Sequence, residues 1–317
     1  MHARRRILMV LGLGVLGSVL IAPANGDAVA TPSAPGYWLA GGDGGVFAFN
    51  APFYGSGTTA TSQGSSVGSS CGFPPPLKYD YQHLFCTAIA ATPSGSGYWL
   101  VNVWSAPFPY GQAGPAIDQS GCTILNQPGY PVESDWAGVA SSNSGTGYWL
   151  TSKLGLVLGC GDVTLPSSGS TNLRFNAPIV GIASMPDGKG YWLVGADGGV
   201  FAFGDAVFAG SMGNRALHAP IVGITATPDG KGYCLAASDG GVFSFGDAPF
   251  AGSMGGAEIN APVVGIAGSP DGRGYWLAAA DGGVFAFGDA TFGGSMAGKA
   301  LADPITGIAS YRGSSPG

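Results

Sequence analysis

Two stretches of this 317-residue chain hold most of the side chains able to act on another molecule. The first is Tyr79-Asp80-Tyr81-Gln82-His83, which follows Pro74-Pro75-Pro76 and lies between Cys71 and Cys86. Phenol rings stack on sugars and peptides while a carboxylate and an imidazole orient them, so this set suits ligand contact. The second stretch holds Asp118, Glu133, Asp135 and Trp136, with Trp104 just ahead of it. Two carboxylates at a suitable separation can run glycoside hydrolysis, but a sequence does not give that separation. His83 with Cys71 and Cys86 is an alternative metal site, although the chain has only three histidines and one lies in its first residues. No nucleophile–His–acid motif is recognisable. The expected ligand-binding residues are therefore Tyr79, Asp80, Tyr81, His83, Trp104, Asp135 and Trp136, with no catalytic residue, metal or cofactor assigned.

Four further carboxylates, Asp43, Asp197, Asp239 and Asp281, each open an Asp-Gly-Gly turn. A ring of such groups could bind a cation or a polyol. Their recurrence at every regular position favours the plainer role, in which each Asp caps its own turn by accepting backbone N–H bonds. Asp205, Asp247 and Asp289 are read the same way.

The elements that carry these residues follow from the glycines. The chain has 58 glycines and 23 prolines, about a quarter of its length, a share typical of low-complexity sequence. Disorder does not fit, because hydrophobic residues make up 45%, aromatics 11% and charged residues only 9%. The mean hydropathy is +0.26. Collagen is excluded by the absence of a Gly-X-Y triplet. The glycines are instead periodic. Residues 179–220, 221–262 and 263–304 align without gaps at a 42-residue period, and Gly-Tyr-Trp-Leu marks further copies at Gly36, Gly97 and Gly147. Each regular copy reads as strands of four or five residues separated by Asp-Gly turns: Val180–Ser184, Tyr191–Val194, Val200–Phe203 and a short fourth at Val207–Gly210. Four strands in such a unit is the dimension of a β-propeller blade, with a solenoid as the alternative.

The ends argue for closure. The first copy starts at its second strand, and Ile305-Thr306-Gly307-Ile308-Ala309-Ser310 supplies the missing first strand after the sixth copy. The expected fold is all-β: a six-bladed propeller over 31–310 closed by a C-terminal strand, then a short tail, 311–317. Two insertions, about 57–86 and 111–137, fall in blade-to-blade crossovers. They share a face with the turns bearing Asp43, Asp197, Asp239 and Asp281. Trp38, Trp99, Trp149, Trp192 and Trp276 recur on one strand and are read as packing between blades.

Residues 186–206, Pro-Asp-Gly-Lys-Gly-Tyr-Trp-Leu-Val-Gly-Ala-Asp-Gly-Gly-Val-Phe-Ala-Phe-Gly-Asp-Ala, resemble a repeat of secreted actinobacterial proteins. The resemblance is strong over 179–310 and 36–56 and weak over 57–178. It implies an exported propeller and brings no catalytic motif.

Location and partners follow from the rest. Arg4-Arg5-Arg6, an apolar run from Ile7 to Ala22 and Ala28-Val29-Ala30 describe a signal peptide over residues 1–30, for the general or the twin-arginine route. No later segment is long and apolar enough to span a bilayer. The formal net charge is −6 and no basic run follows the leader, which sets nucleic acid aside as a partner. Cysteines suit an oxidising compartment. Four cysteines, Cys71, Cys86, Cys122 and Cys160, allow three pairings, of which Cys71–Cys86 with Cys122–Cys160 is favoured. Cys234 replaces a repeat tryptophan and is expected to be a buried free thiol. The leading function is an exported, monomeric, non-catalytic propeller, secreted or in the cell envelope, that binds an envelope glycan or a protein. The alternative is a secreted hydrolase using acids of the second insertion.

Overall fold

Asp-Gly turns cut each repeat into short strands, and a computed structural model shows how those strands assemble. It describes residues 32–57, 86–102, 107–114, 122–124, 135–166 and 174–313. Among the described residues nineteen strands form six antiparallel sheets, five of three strands and one of four. Blade 1 joins the two ends of the ring: β1 (Gly36–Gly41) and β2 (Val46–Phe49) are completed by β19 (Ile305–Tyr311), in the order β19-β1-β2. Blade 2 is β3 (Cys86–Ala91), β4 (Gly97–Asn102) and β5 (Phe108–Gly111). Blade 3 is β7 (Trp136–Ser141), β8 (Tyr148–Ser152) and β9 (Val157–Cys160), with β6 (Cys122–Ile124) added outside β9. Blades 4 to 6 are β10 (Ile179–Ser184) to β12 (Val200–Gly204), β13 (Ile221–Ala226) to β15 (Val242–Gly246), and β16 (Val263–Gly268) to β18 (Val284–Phe287).

The first strand of each blade lies innermost, and these six strands touch in a closed cycle: β19, β3, β7, β10, β13, β16 and back to β19. This is a six-bladed β-propeller closed by its C-terminal strand. Glycine makes the close approach possible. A Cβ on Gly181 would lie 3.4 Å from Cγ2 of Ile224 in the next blade, and one on Gly307 would lie 3.3 Å from Cγ2 of Ile89. Backbone bonds tie successive blades as well. Ile221 N–H donates to Ala196 O at 2.9 Å, and at the closure Ile305 N–H donates to Ala280 O at 2.9 Å.

Farther out, the seams are aromatic. Trp38 packs on Tyr98, Trp99 on Tyr148, Trp149 on Tyr191, Trp192 on Tyr233 and Trp276 on Tyr37, always one blade to the next. The last contact closes the cycle. The remaining seam has Cys234, a buried free thiol, in place of the indole, and its partner on β15 is Ser244 where the other regular blades have alanine.

The fold differs from the sequence reading in one respect. Val207–Gly210 is not a strand, and the regular blades have three strands each. Its carbonyls are taken by seam side chains: Trp192 Nε1–H donates to Val207 O at 2.9 Å, and Tyr233 O–H donates to Gly210 O at 2.6 Å. Gly210 adopts φ +140°, with the Phe245 ring of the next blade against its Cα. The segment is thus drawn into the seam and away from the edge of its own sheet.

Candidate binding face and central channel

Each crossover enters the ring beside a turn between second and third strands, so these turns and both insertions share one face. Cys86, where the first insertion ends, donates its N–H to Gly42 O at 2.8 Å, next to the Asp43 turn. Asp135, where the second ends, accepts from Lys153 N–H at 3.0 Å. In the turns themselves Asp43, Asp197, Asp239 and Asp281 each accept the N–H of the residue two positions on at 2.9 Å. One oxygen of each carboxylate is thereby committed to holding its glycine turn.

The expected ligand-binding residues do not gather into one described site. Tyr79, Asp80, Tyr81, His83 and Trp104 lie outside the described residues, as do Cys71, Asp118 and Glu133. Asp135 is exposed on the insertion face and forms an ion pair with Lys153 Nζ at 2.8 Å. Trp136 requires a correction. It is the first residue of β7, 2% exposed, and sits among Trp99, Val101, Tyr148 and Leu150 between blades 2 and 3. A ring enclosed on all sides offers no face to a ligand. Cys122 is bonded to Cys160 of β9, with Cα atoms 4.2 Å apart, and Cys86, the first residue of β3, is also in a disulfide.

The central channel has two halves. Thr87, Val180, Val222, Val264 and Thr306, the bulged second residues of the inner strands, line a small cavity of about 90 Å³ toward the insertion face. Ile89, Val139, Ile182, Ile224, Ile266 and Ile308 then close the waist, each less than a tenth exposed. Beyond them a mouth of about 350 Å³ opens on the other face, lined by small polar groups such as Thr92, Ser142, Asn143 and Ser184, with Arg312 at its rim. The β-branched waist separates the two halves.

That second face carries carboxyl pairs, each joining an aspartate of the turn between first and second strands to one just after the third strand. Asp271 is lowered to about 2 by the hydrogen bond it receives from Asp289 and by the Ser269 hydroxyl 2.8 Å away; Asp289 is raised, first by Asp271 and then by burial. Asp187 is held down by the Lys189 N–H, while Asp205 is raised by burial and by Asp187. The stability contributed by Asp271 is present above the ordinary carboxylate range and lost as pH falls toward 2. That of Asp289 has the opposite sign, greatest at low pH and lost as pH rises through its raised value. In a carbon-detected NMR titration Asp289 is expected to protonate at a higher pH than Asp271, and Asp271→Asn to return Asp289 toward the ordinary range. Coincident curves for the two groups would contradict the pairing.

Among the described residues no group of three or more His, Cys, Asp or Glu is placed to hold a metal ion, and no helix is long and apolar enough to cross a membrane. Burial lifts the phenol of Tyr37 up to about 12.

The strand order and the closed cycle of inner strands define the class: a β-propeller. No protein-family model matches the chain, and no curated protein matches it. Among solved structures it is similar to the β-propeller domain of Cps50 (Swd1) from Myceliophteria thermophila. The identity is 11%, the coverage 69% of this chain and 70% of that one, and the TM-score 0.42. The propeller assignment rests on this chain's own strand pairing.

Proposed function

We propose that this protein is an exported, non-catalytic propeller that binds a cell-envelope glycan or protein through the face bearing its two insertions. One observation carries the reading. Both irregular segments end on the same face of an otherwise regular ring, at Cys86 beside Gly42 and at Asp135 beside Lys153; Cys86 is in a disulfide and Cys122 is bonded to Cys160. A rigid scaffold that holds individual loops on one face is the usual arrangement for recognition. Disulfides fit an oxidising compartment outside the cytosol.

The test is a glycan-array and pull-down screen with the chain lacking residues 1–30. The Tyr79→Ala/Tyr81→Ala double variant is expected to lose affinity for the captured ligand at least about tenfold, since stacked aromatics dominate such contacts. Unchanged affinity in that variant would remove the first insertion from the binding surface.

A further inference from the structure

The outer edges of blades 4 to 6 are open. Among the described residues β12, β15 and β18 pair only with the strand inside them, and the segment after each is drawn into the seam by a Tyr, joined by a Trp after β12 and β18. An open edge presents a row of backbone donors and acceptors that another strand can meet. Blade 3 shows such an edge filled. There β6 lies antiparallel on β9, with Cys122 opposite Cys160, Thr123 opposite Gly159 and Ile124 opposite Leu158, and the disulfide locks it in place. The same ring therefore accepts a fourth strand at the corresponding position of a sister blade.

The three open edges share a chemistry. Each reads Gly-Gly-Val-Phe-(Ala or Ser)-Phe-Gly and is bracketed by aspartates: Asp197 and Asp205, Asp239 and Asp247, Asp281 and Asp289. The segment that follows each edge exposes one large aromatic side chain: Phe208 at 56%, Phe250 at 62% and Phe292 at 56%. Two copies of this chain paired antiparallel through these edges would bring an aspartate of one against an aspartate of the other at both ends, which is unfavourable. A strand of the opposite charge pattern has no such conflict.

We propose that the outer edges of β12, β15 and β18 are docking sites for an extended apolar polypeptide segment flanked by lysine or arginine. It adds to each blade as a fourth antiparallel strand. The ladder supplies main-chain hydrogen bonds, the flanking cations meet the paired aspartates, and the exposed phenylalanine adds apolar contact. This site runs along the rim, touching the insertion face only at its Asp197, Asp239 and Asp281 end, and does not depend on what that face binds.

The test uses the peptide Lys-Thr-Val-Thr-Val-Thr-Lys with blocked termini, followed by fluorescence anisotropy and hydrogen–deuterium exchange. The expected result is saturable binding at up to three peptides per chain, with new amide protection confined to 200–204, 242–246 and 284–287. A Glu-flanked peptide, or the triple variant Asp205→Asn/Asp247→Asn/Asp289→Asn, is expected to bind at least about tenfold more weakly. N-methylation of alternate peptide amides is expected to abolish binding in one frame and spare it in the other, because only one edge of the peptide joins the ladder. Protection elsewhere, equal tolerance of both frames, or no saturable binding would overturn the proposal. Protection of the same strands by self-association without peptide would overturn the choice of partner.

Discussion

Deletion of residues 305–317 is expected to abolish the cooperative melt of the ring rather than trim one blade. The deletion removes Ile305, Ile308 and Tyr311, which are 1%, 8% and 3% exposed, and uncovers the fully buried β1 on the side that β19 occupies. It also removes the edge-on contact of Tyr311 with Trp38 at 5.4 Å. Each large buried side chain contributes about 1.5–3 kcal/mol. Three of them amount to much of the roughly 5–15 kcal/mol that holds a domain of ordinary stability together. The inner strands β16 and β3 would lose their common neighbour at the same time, so the loss reaches three blades. Near- and far-ultraviolet circular dichroism of the truncated chain checks this. A melting temperature equal to that of the full chain would refute the clasp. Addition of a peptide spanning 305–313 should restore the transition if the clasp acts by strand pairing.

Trp192→Ala is expected to cost about 3–5 kcal/mol, as for other large-to-small changes of buried aromatics. The indole fills the seam against Tyr233, with centroids 5.5 Å apart, and its Nε1–H satisfies Val207 O. Its loss leaves a cavity and an unpaired carbonyl in the segment that crosses the seam. Trp149→Phe provides the contrast. Among the described residues the nitrogen of Trp149 is buried without a hydrogen-bond partner, as is the hydroxyl of the facing Tyr191. Trp149→Phe gives up no hydrogen bond and leaves only the space of the smaller ring, so it should cost roughly 1–2 kcal/mol, well below Trp192→Ala. Chemical denaturation of both variants at constant slope separates the two outcomes. A loss for Trp149→Phe as large as that for Trp192→Ala would refute the distinction.

The ring was readable because its physics is repeated. Turn glycines, the Val-Gly-Ile inner strand and the Gly-Tyr-Trp-Leu second strand recur at fixed offsets, and the displaced copy at Ile305 reveals the closure. The fourth strand was misread because Val207–Gly210 has the composition of a strand. Only the structure shows that its carbonyls serve Trp192 and Tyr233. Trp136 was misread for a related reason: an aromatic beside carboxylates resembles a binding group, yet its place in the register, as the first residue of an inner strand, commits it to a seam. A signal was present, since Ile179, Ile221 and Val263 hold the same strand position in the regular copies and are fully buried. The exposed Phe208, Phe250 and Phe292 had a signal too, a phenylalanine recurring three residues after each Gly-Asp. Nothing in their sequence distinguishes a solvent-facing repeat aromatic from a core one.

The joining of β19 to β1 also sets an order of events. A chain that emerges from its N-terminus makes β1 and β2 early, but their third strand is synthesised about 270 residues later, after every other blade. Until then blade 1 is a two-stranded hairpin, a unit marginal in water on its own. Closure therefore depends on the most distant contact in the molecule, the kind that slows folding most. A propeller of this connectivity can reach its finished form only after its last strand is free. If the chain is threaded through a translocon, the seams must be assembled on the far side of the membrane; if it is exported folded, synthesis must finish before export begins.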